Sequence, residues 1–120
     1  MSKLILIVED SATDMHIAEK LCKDNGYDVI TATEGEVAIE LAKKHKPDLV
    51  LLDVILPKQN GFQVCRQLKK TPETENIKVV MVTSKSQPSD KFWGMKQGAD
   101  EYVFKPYNEN DLLAAIKKHI

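Results

Sequence analysis

Apolar and polar residues follow one another along the chain as short apolar runs separated by longer amphipathic segments. Short continuous apolar runs are typical of strands that are buried on both faces of a parallel sheet. Five segments predict strands, and the second of them is the most polar. The predicted strands are Leu4–Val8, Asp28–Ala32, a strand that begins at Leu49 in the apolar run around Asp53, Val79–Val82 and Glu101–Phe104.

The segments between and after these runs have the spacing of amphipathic helices. Ser11 is a candidate N-cap for the first helix, and Asp14, three residues later, is a candidate capping-box partner. Ile17 and Val37 are among the apolar positions that we expect to face the core. The predicted helices run from Ser11 to about Asn25, then over Gly35–His45, Phe62–Lys70, Pro88–Gln97 and Asn108–Ile120.

Strands that alternate with helices predict an α/β fold, in which a five-stranded parallel sheet lies between two layers of helices. The polar second strand suits an edge of the sheet, which favours the strand order 2-1-3-4-5. In this doubly wound order the direction of winding reverses between strands 1 and 3. Ligands of such sheets bind at that point, beyond the carboxyl ends of the strands.

Asp53 is the residue that most needs an explanation, because four aliphatic residues precede it and three more follow it. An ionised carboxylate inside a buried strand costs several kcal/mol of desolvation. We therefore expect Asp53 at the carboxyl end of its strand, where the sheet opens to solvent. Glu9 and Asp10 follow the first strand, so the same edge would gather three carboxylates.

Composition narrows the class of protein. The 120 residues suit a single domain, 1–120, and the net charge of −1 provides neither a nucleic-acid footprint nor a polybasic membrane segment. Nothing approaches the length of a membrane span. Cys22 and Cys65 show no metal or redox spacing, so we expect buried thiols in a reducing compartment, the cytoplasm.

Three carboxylates in one crevice need a cation, since two unit charges at 4 Å repel by about 4 kcal/mol at an effective dielectric constant near 20. Hard oxygen ligands favour Mg²⁺ over Zn²⁺. The Thr83 hydroxyl and the Lys105 ammonium arrive from the ends of the fourth and fifth strands. These groups together suit a phosphoryl group, and carboxylate attack would give an aspartyl-phosphate.

The whole chain resembles the response-regulator receiver domains of two-component signalling, which have the flavodoxin-like fold. By this resemblance Asp53 would be the phospho-acceptor, and Glu9 and Asp10 would be the acid pair that binds Mg²⁺. Thr83 would be the switch hydroxyl and Lys105 the phosphate counter-ion. Receivers catalyse their own phosphorylation and dephosphorylation but are not conventional enzymes.

Three further expectations come from the family pattern. The Lys105–Pro106 pair matches one whose peptide bond is typically cis. Glu9 stands where Asp is commoner, yet it should still reach a water bound to the metal. Ile55 is aliphatic where many members are polar; its backbone carbonyl would ligate the metal, but its side chain cannot position a hydrolytic water.

The segment from Thr83 to Tyr102 looks like the stand-alone receivers of type IV pilus twitching-motility systems, with chemotaxis and phosphorelay receivers as alternatives. No effector domain is expected after Ile120, so the output would be a protein contact made by a monomer. The expected partners are a histidine kinase or histidine phosphotransfer domain, and a target at the face of helix 4, strand 5 and helix 5. Tyr102 would turn from outside to inside on that face, while Trp93 suits either a core anchor or an exposed contact.

Two other classes of function remain open. A pseudo-receiver would use the same fold as an interaction module without phosphorylation. A small Mg²⁺-dependent phosphohydrolase is disfavoured, because the sequence shows neither a general acid near Asp53 nor a domain to cap a substrate.

Overall fold

A computed structural model describes residues 2–120; Met1, which the predicted domain 1–120 includes, lies outside the described residues. Within this part of the chain the strands are β1 (Leu4–Val8), β2 (Asp28–Ala32), β3 (Leu49–Leu52), β4 (Lys78–Thr83) and β5 (Glu101–Phe104). The helices are α1 (Ala12–Asp24), α2 (Gly35–His45), α3 (Gly61–Lys70), α4 (Pro88–Lys96) and α5 (Glu109–His119). None of these helices has the length and apolar character needed to cross a bilayer.

The strands form one parallel sheet in the order β2-β1-β3-β4-β5, so the predicted fold class and strand order are confirmed. β1 pairs with both β2 and β3, and Ile5 lies opposite Val29 on one side and Leu49 on the other. The winding therefore reverses at β1 and β3, whose carboxyl ends hold the predicted acidic residues.

The sheet is covered on both faces, which explains why its inner strands are apolar without alternation. Leu6 and Val50 pack in a cluster with the inner faces of α2 and α3. Ile5 and Leu51 point to the opposite face, where they pack against α1 and α5. Successive strand residues thus serve two separate cores.

Two of the residues predicted to face the core are exposed instead. Ile17 is 43% exposed and Val37 is 40% exposed, so both expectations were wrong. Leu21 on α1 and Ile39 on α2 are buried. Helical periodicity limits the possible inner stripes, but the tilt of the helix on the sheet decides which stripe is buried.

α4 is attached to the sheet through its smallest residue. Gly94 is the one α4 residue that is buried, and a Cβ added to it would lie 2.9 Å from both Met81 Sδ and the Tyr102 ring. Because the helix approaches so closely there, its large side chains point away from the sheet. Trp93 is 50% exposed, so of its two predicted roles it is an exposed residue and not a core anchor.

A charged network ties α3 to the beginnings of β4 and β5. Lys69 Nζ donates to Asp100 Oδ2 at 2.9 Å and to the carbonyl oxygen of Ile77 at 2.8 Å. The Val79 N–H donates to the same Asp100 oxygen at 2.8 Å. Burial alone would raise the pKa of Asp100, but the Val79 N–H and the Lys69 ammonium outweigh it and hold the pKa below its usual value.

Asp100→Asn should therefore lower the free energy of unfolding by about 1–2 kcal/mol at pH 7, since an amide loses the charge-assisted bonds. The pKa of Asp100 is lower in the folded protein than in the unfolded chain, where it is about 3.9. The carboxylate therefore stabilises the fold fully above about pH 3.9, and this stabilisation disappears as the pH falls through the folded-state pKa. Urea denaturation should show a clear difference from the parent at pH 7 and a smaller one at pH 3.

Asp24→Asn is the matched control, because its partner Lys20 lies in an exposed i,i+4 pair on α1. Such pairs contribute little in water. An Asp100→Asn variant no less stable at pH 7 than Asp24→Asn would contradict a stabilising role for the network.

Candidate functional site

A cavity of about 630 Å³ opens at the carboxyl ends of β1 and β3. Predicted site residues line it together, and they come from three different strand ends: Glu9, Asp10, Asp53, Ile55 and Lys105. Ile17, Pro106 and Tyr107 add an apolar rim. The cavity therefore joins an acidic floor to an apolar mouth.

Asp53 directly follows β3, and its backbone N–H donates to the Val8 carbonyl oxygen at 3.1 Å, which holds it beside the end of β1. The residue is only 5% exposed, so it is less open to solvent than the sequence predicts. Hydrogen bonds compensate for this burial. Oδ1 accepts the Ile55 N–H at 3.0 Å, and Oδ2 accepts from Lys105 Nζ at 2.8 Å.

Lys105 lies one residue beyond β5, and its ammonium bonds to three carboxylates at once. Nζ is 2.6 Å from Glu9 Oε2, 2.8 Å from Asp53 Oδ2 and 2.9 Å from Asp14 Oδ2. An ammonium has three N–H donors, so these contacts use all of them. The peptide bond from Lys105 to Pro106 is cis, as the resemblance implies.

The two buried acids of the site have opposite pKa shifts. Burial raises the pKa of Glu9 to about 7, and the Asp53 carboxylate adds to this while Lys105 opposes it. Burial also acts to raise the pKa of Asp53, but Lys105 and the Ile55 N–H outweigh it and hold the pKa below its usual value. Asp53 is therefore ionised at neutral pH, as a carboxylate nucleophile must be.

Asp14 belongs to this site, although the sequence analysis assigned it to helix capping. The Ser11 Oγ accepts the Asp14 N–H at 3.2 Å, so the predicted N-cap is present. The Asp14 carboxylate, however, contacts Lys105 and does not complete a capping box. An acidic residue in the first turn of a helix that follows a site strand was the available signal, because that turn faces the same edge of the sheet.

The acidic residues do not form a ready metal cage. Across residues 2–120, no group of three or more His, Cys, Asp and Glu side chains is arranged to hold a metal ion. Glu9 and Asp53 instead share the Lys105 ammonium, while Asp10 is exposed at the cavity. The predicted Mg²⁺ ligands, including the Ile55 carbonyl, therefore remain a prediction.

Thr83, at the end of β4, is completely buried and connects to Tyr102 through the backbone of Lys85. Thr83 Oγ1 accepts the Lys85 N–H at 3.4 Å, and Tyr102 Oη donates to the Lys85 carbonyl oxygen at 2.8 Å. Tyr102 is 6% exposed, so it lies inside and does not contribute to the outer surface as the sequence predicts. Gly94 explains this, because its missing side chain leaves room for the Tyr102 ring.

The chain that carries this site matches a known protein family. The family model described as "response regulator receiver domain" matches residues 5–117. The chain belongs to this family. It is 46% identical over 112 residues to the protein PilH of Pseudomonas aeruginosa. The aligned residues cover 93% of each chain.

A second relative is much longer than this receiver. The alkaline phosphatase synthesis transcriptional regulatory protein PhoP of Bacillus subtilis is 39% identical over 117 residues. The match covers 98% of this chain but 48% of PhoP. This chain therefore spans about half the length of PhoP.

Solved structures show the same architecture. The chemotaxis protein CheY4 of Vibrio cholerae superposes with a TM-score of 0.93, at 27% identity and over the full length of both chains. The resemblance stated from the sequence is thus confirmed at the level of family and fold.

In this receiver, Gly61, the first residue of α3, packs closely against the turn that follows Asp53. Its N–H donates to the Val54 carbonyl oxygen at 2.8 Å. A Cβ at Gly61 would collide with the Asp53 carbonyl oxygen and lie 2.7 Å from Val54 Cα. These are backbone atoms, so a side chain at this position would displace the segment that carries Asp53.

Gly61→Ala should lower the free energy of unfolding by about 1–3 kcal/mol, the usual cost of an overpacked site. It should also shift the amide resonances of Asp53, Val54 and Ile55 in a ¹H–¹⁵N NMR spectrum. Gly26→Ala is the control: Gly26 has a φ of +85° but no atom within 4 Å of an added Cβ, so its strain stays local. Unchanged resonances after Asp53 in Gly61→Ala would show that the turn does not depend on this contact.

Proposed function

We propose that this receiver accepts a phosphoryl group on Asp53 from a histidine kinase or a histidine phosphotransfer domain. The observation that supports this is a buried Asp53 that lines the cavity and contacts the Lys105 ammonium, which holds the pKa of Asp53 below its usual value. An Asp53 oxygen attacks phosphorus while the bond from phosphorus to the donor imidazole nitrogen breaks, and that nitrogen keeps the electron pair. Receiver domains are generally signalling modules of this kind and not conventional enzymes.

Mg²⁺ is the proposed cofactor, and the donor set fits it. Receiver domains typically bind this ion. The carboxylates of Glu9, Asp10 and Asp53 and the Ile55 carbonyl would offer hard oxygens on one cavity. One Lys105 ammonium faces three carboxylates, so negative charge is left for a cation to neutralise. When bound, Mg²⁺ supplies positive charge for the phosphoryl oxygens.

The proposed output is a protein contact through α4, β5 and α5. A phosphoryl group brings about two negative charges and new acceptor oxygens close to the buried Thr83 hydroxyl. When Thr83 turns toward it, the Lys85 N–H loses its acceptor and the Lys85 segment shifts. That segment also accepts the Tyr102 hydroxyl, and the Tyr102 ring packs under Gly94. The change therefore reaches the outer side of α4, where Trp93 is exposed.

A type IV pilus twitching-motility system is the proposed pathway, with a chemotaxis system as the alternative. The support is the 46% identity to PilH over 93% of the chain. We place the receiver in the cytoplasm, in keeping with its two free, buried cysteines. We also propose that it acts as a monomer.

Asp53→Asn should abolish phosphorylation without unfolding the protein, because an amide of the same shape cannot act as the nucleophile. Incubation of the parent with acetyl phosphate and Mg²⁺ should add about 80 Da, the mass of one HPO₃ group, by intact mass spectrometry. Asp28→Asn, at the exposed start of β2, is the control and should label like the parent.

Three other outcomes of this experiment would contradict phosphorylation of Asp53 or favour a different function. Equal labelling of Asp53→Asn would make Asp53 the wrong acceptor. A parent that takes no label would favour a pseudo-receiver, and repeated turnover of phosphomonoesters would favour a phosphohydrolase.

Thr83→Ala should uncouple the site from α4 while Asp53 still accepts phosphate, since the hydroxyl is the proposed connection. The measurement is Trp93 fluorescence with and without beryllofluoride, a phosphoryl mimic, in the presence of Mg²⁺. The parent should respond and Thr83→Ala should lose most of the response. Thr83→Ser keeps the hydroxyl and should retain it; a full response from Thr83→Ala would refute the route.

A further inference from the structure

The three carboxylates that hold Lys105 differ in their access to water. The side chains of Glu9 and Asp53 are 8% and 6% exposed, whereas that of Asp14 is 39% exposed. Asp14 also stands apart in the chain, since it lies in the first turn of α1 and not at a strand end. It is therefore the one acceptor of Lys105 that solvent reaches freely.

A phosphoryl group on Asp53 must share the donors of Lys105 with Glu9 and Asp14. All three N–H donors of the ammonium are in use. Phosphorylation removes the charge of the Asp53 carboxylate, so the N–H that it accepts can turn to the phosphoryl group, but any further bond to that group requires the Glu9 or the Asp14 bond to open or weaken. A buried carboxylate that loses its cation cannot recover its hydration, and this penalty is large. Asp14 becomes hydrated when it is released, so its bond costs least to open.

We propose that Asp14 is a positioning residue that competes with the phosphoryl group on Asp53 for the Lys105 ammonium. The proposal rests on the proposed phosphorylation of Asp53. Asp14 positions Lys105 before phosphorylation, and afterwards it weakens the interaction of the Lys105 ammonium with the phosphoryl group. Its carboxylate thereby lowers the affinity of the site for a phosphoryl group without contacting that group.

Asp14→Asn removes the competing charge and should make beryllofluoride bind more tightly. Exposed ion pairs contribute about 0.2–1 kcal/mol, so the expected gain in affinity is about 1.5- to 5-fold. The measurement is a beryllofluoride titration of the full chain at saturating Mg²⁺, followed by ¹H–¹⁵N NMR. A separate Mg²⁺ titration of each variant establishes that the ion is saturating, because loss of a nearby carboxylate also weakens cation binding.

Glu109→Gln is the matched control, because Glu109 lines the same cavity but makes no ion pair with Lys105 within residues 2–120. It removes the same charge and should leave beryllofluoride affinity close to that of the parent. Asp14→Glu restores the charge and should return the affinity toward the parent value. Equal tightening in Asp14→Asn and Glu109→Gln would assign the effect to general charge and overturn the proposal.

A double-mutant cycle tests whether Asp14 acts through Lys105. In a Lys105→Ala background, Asp14→Asn should no longer tighten beryllofluoride binding, and persistence of the gain would overturn the proposal. A parent that binds beryllofluoride, with an Asp14→Asn variant of unchanged affinity, would reject the role of Asp14 alone. Failure of the parent to bind beryllofluoride at all would count against the proposed phosphorylation itself.

Discussion

The bonds of the Lys105 ammonium to Glu9, Asp14 and Asp53 are the interaction on which the site depends. Carboxylates from the ends of β1 and β3 and from the first turn of α1 lie too close together to be stable without a cation. Three short bonds to one ammonium make their burial tolerable. The contact with Lys105 lowers the pKa of Asp53 and so favours its ionised form. Burial has the opposite effect on Glu9, whose pKa it raises.

This solution to the burial of charge also gives two neighbouring acids different tendencies to ionise. The pKa of Glu9 is raised and that of Asp53 is lowered, so the environment and not the residue type sets the charge of each. The cavity that they line has an apolar mouth, which includes the half-exposed Ile55. Electrostatic interactions with a ligand are stronger in such a partly desolvated setting than in open water.

The connection from the site to the surface is made of backbone as much as of side chains. Thr83 and Tyr102 are linked indirectly, because the side chain of each is hydrogen-bonded to the backbone of Lys85. Tyr102 in turn packs where Gly94 lets α4 approach the sheet. α4 contributes one buried residue and exposes Phe92, Trp93 and Met95, so little apolar burial opposes its movement. Elements with little burial are those that move in conformational switches.

The sequence by itself determined the fold class, the strand order and the placing of Glu9, Asp53 and Lys105 at one edge of the sheet, because these follow from patterns that are local in the chain. Apolar runs and helical spacing define the elements, and parallel strands bring residues such as Asp53 and Lys105, at their carboxyl ends, to one edge. The tertiary structure alone decided the pairing of Asp14 with Lys105 across 91 positions, the exposure of Ile17 and the burial of Tyr102. Each depends on how a helix lies on the sheet, and local periodicity does not specify that orientation.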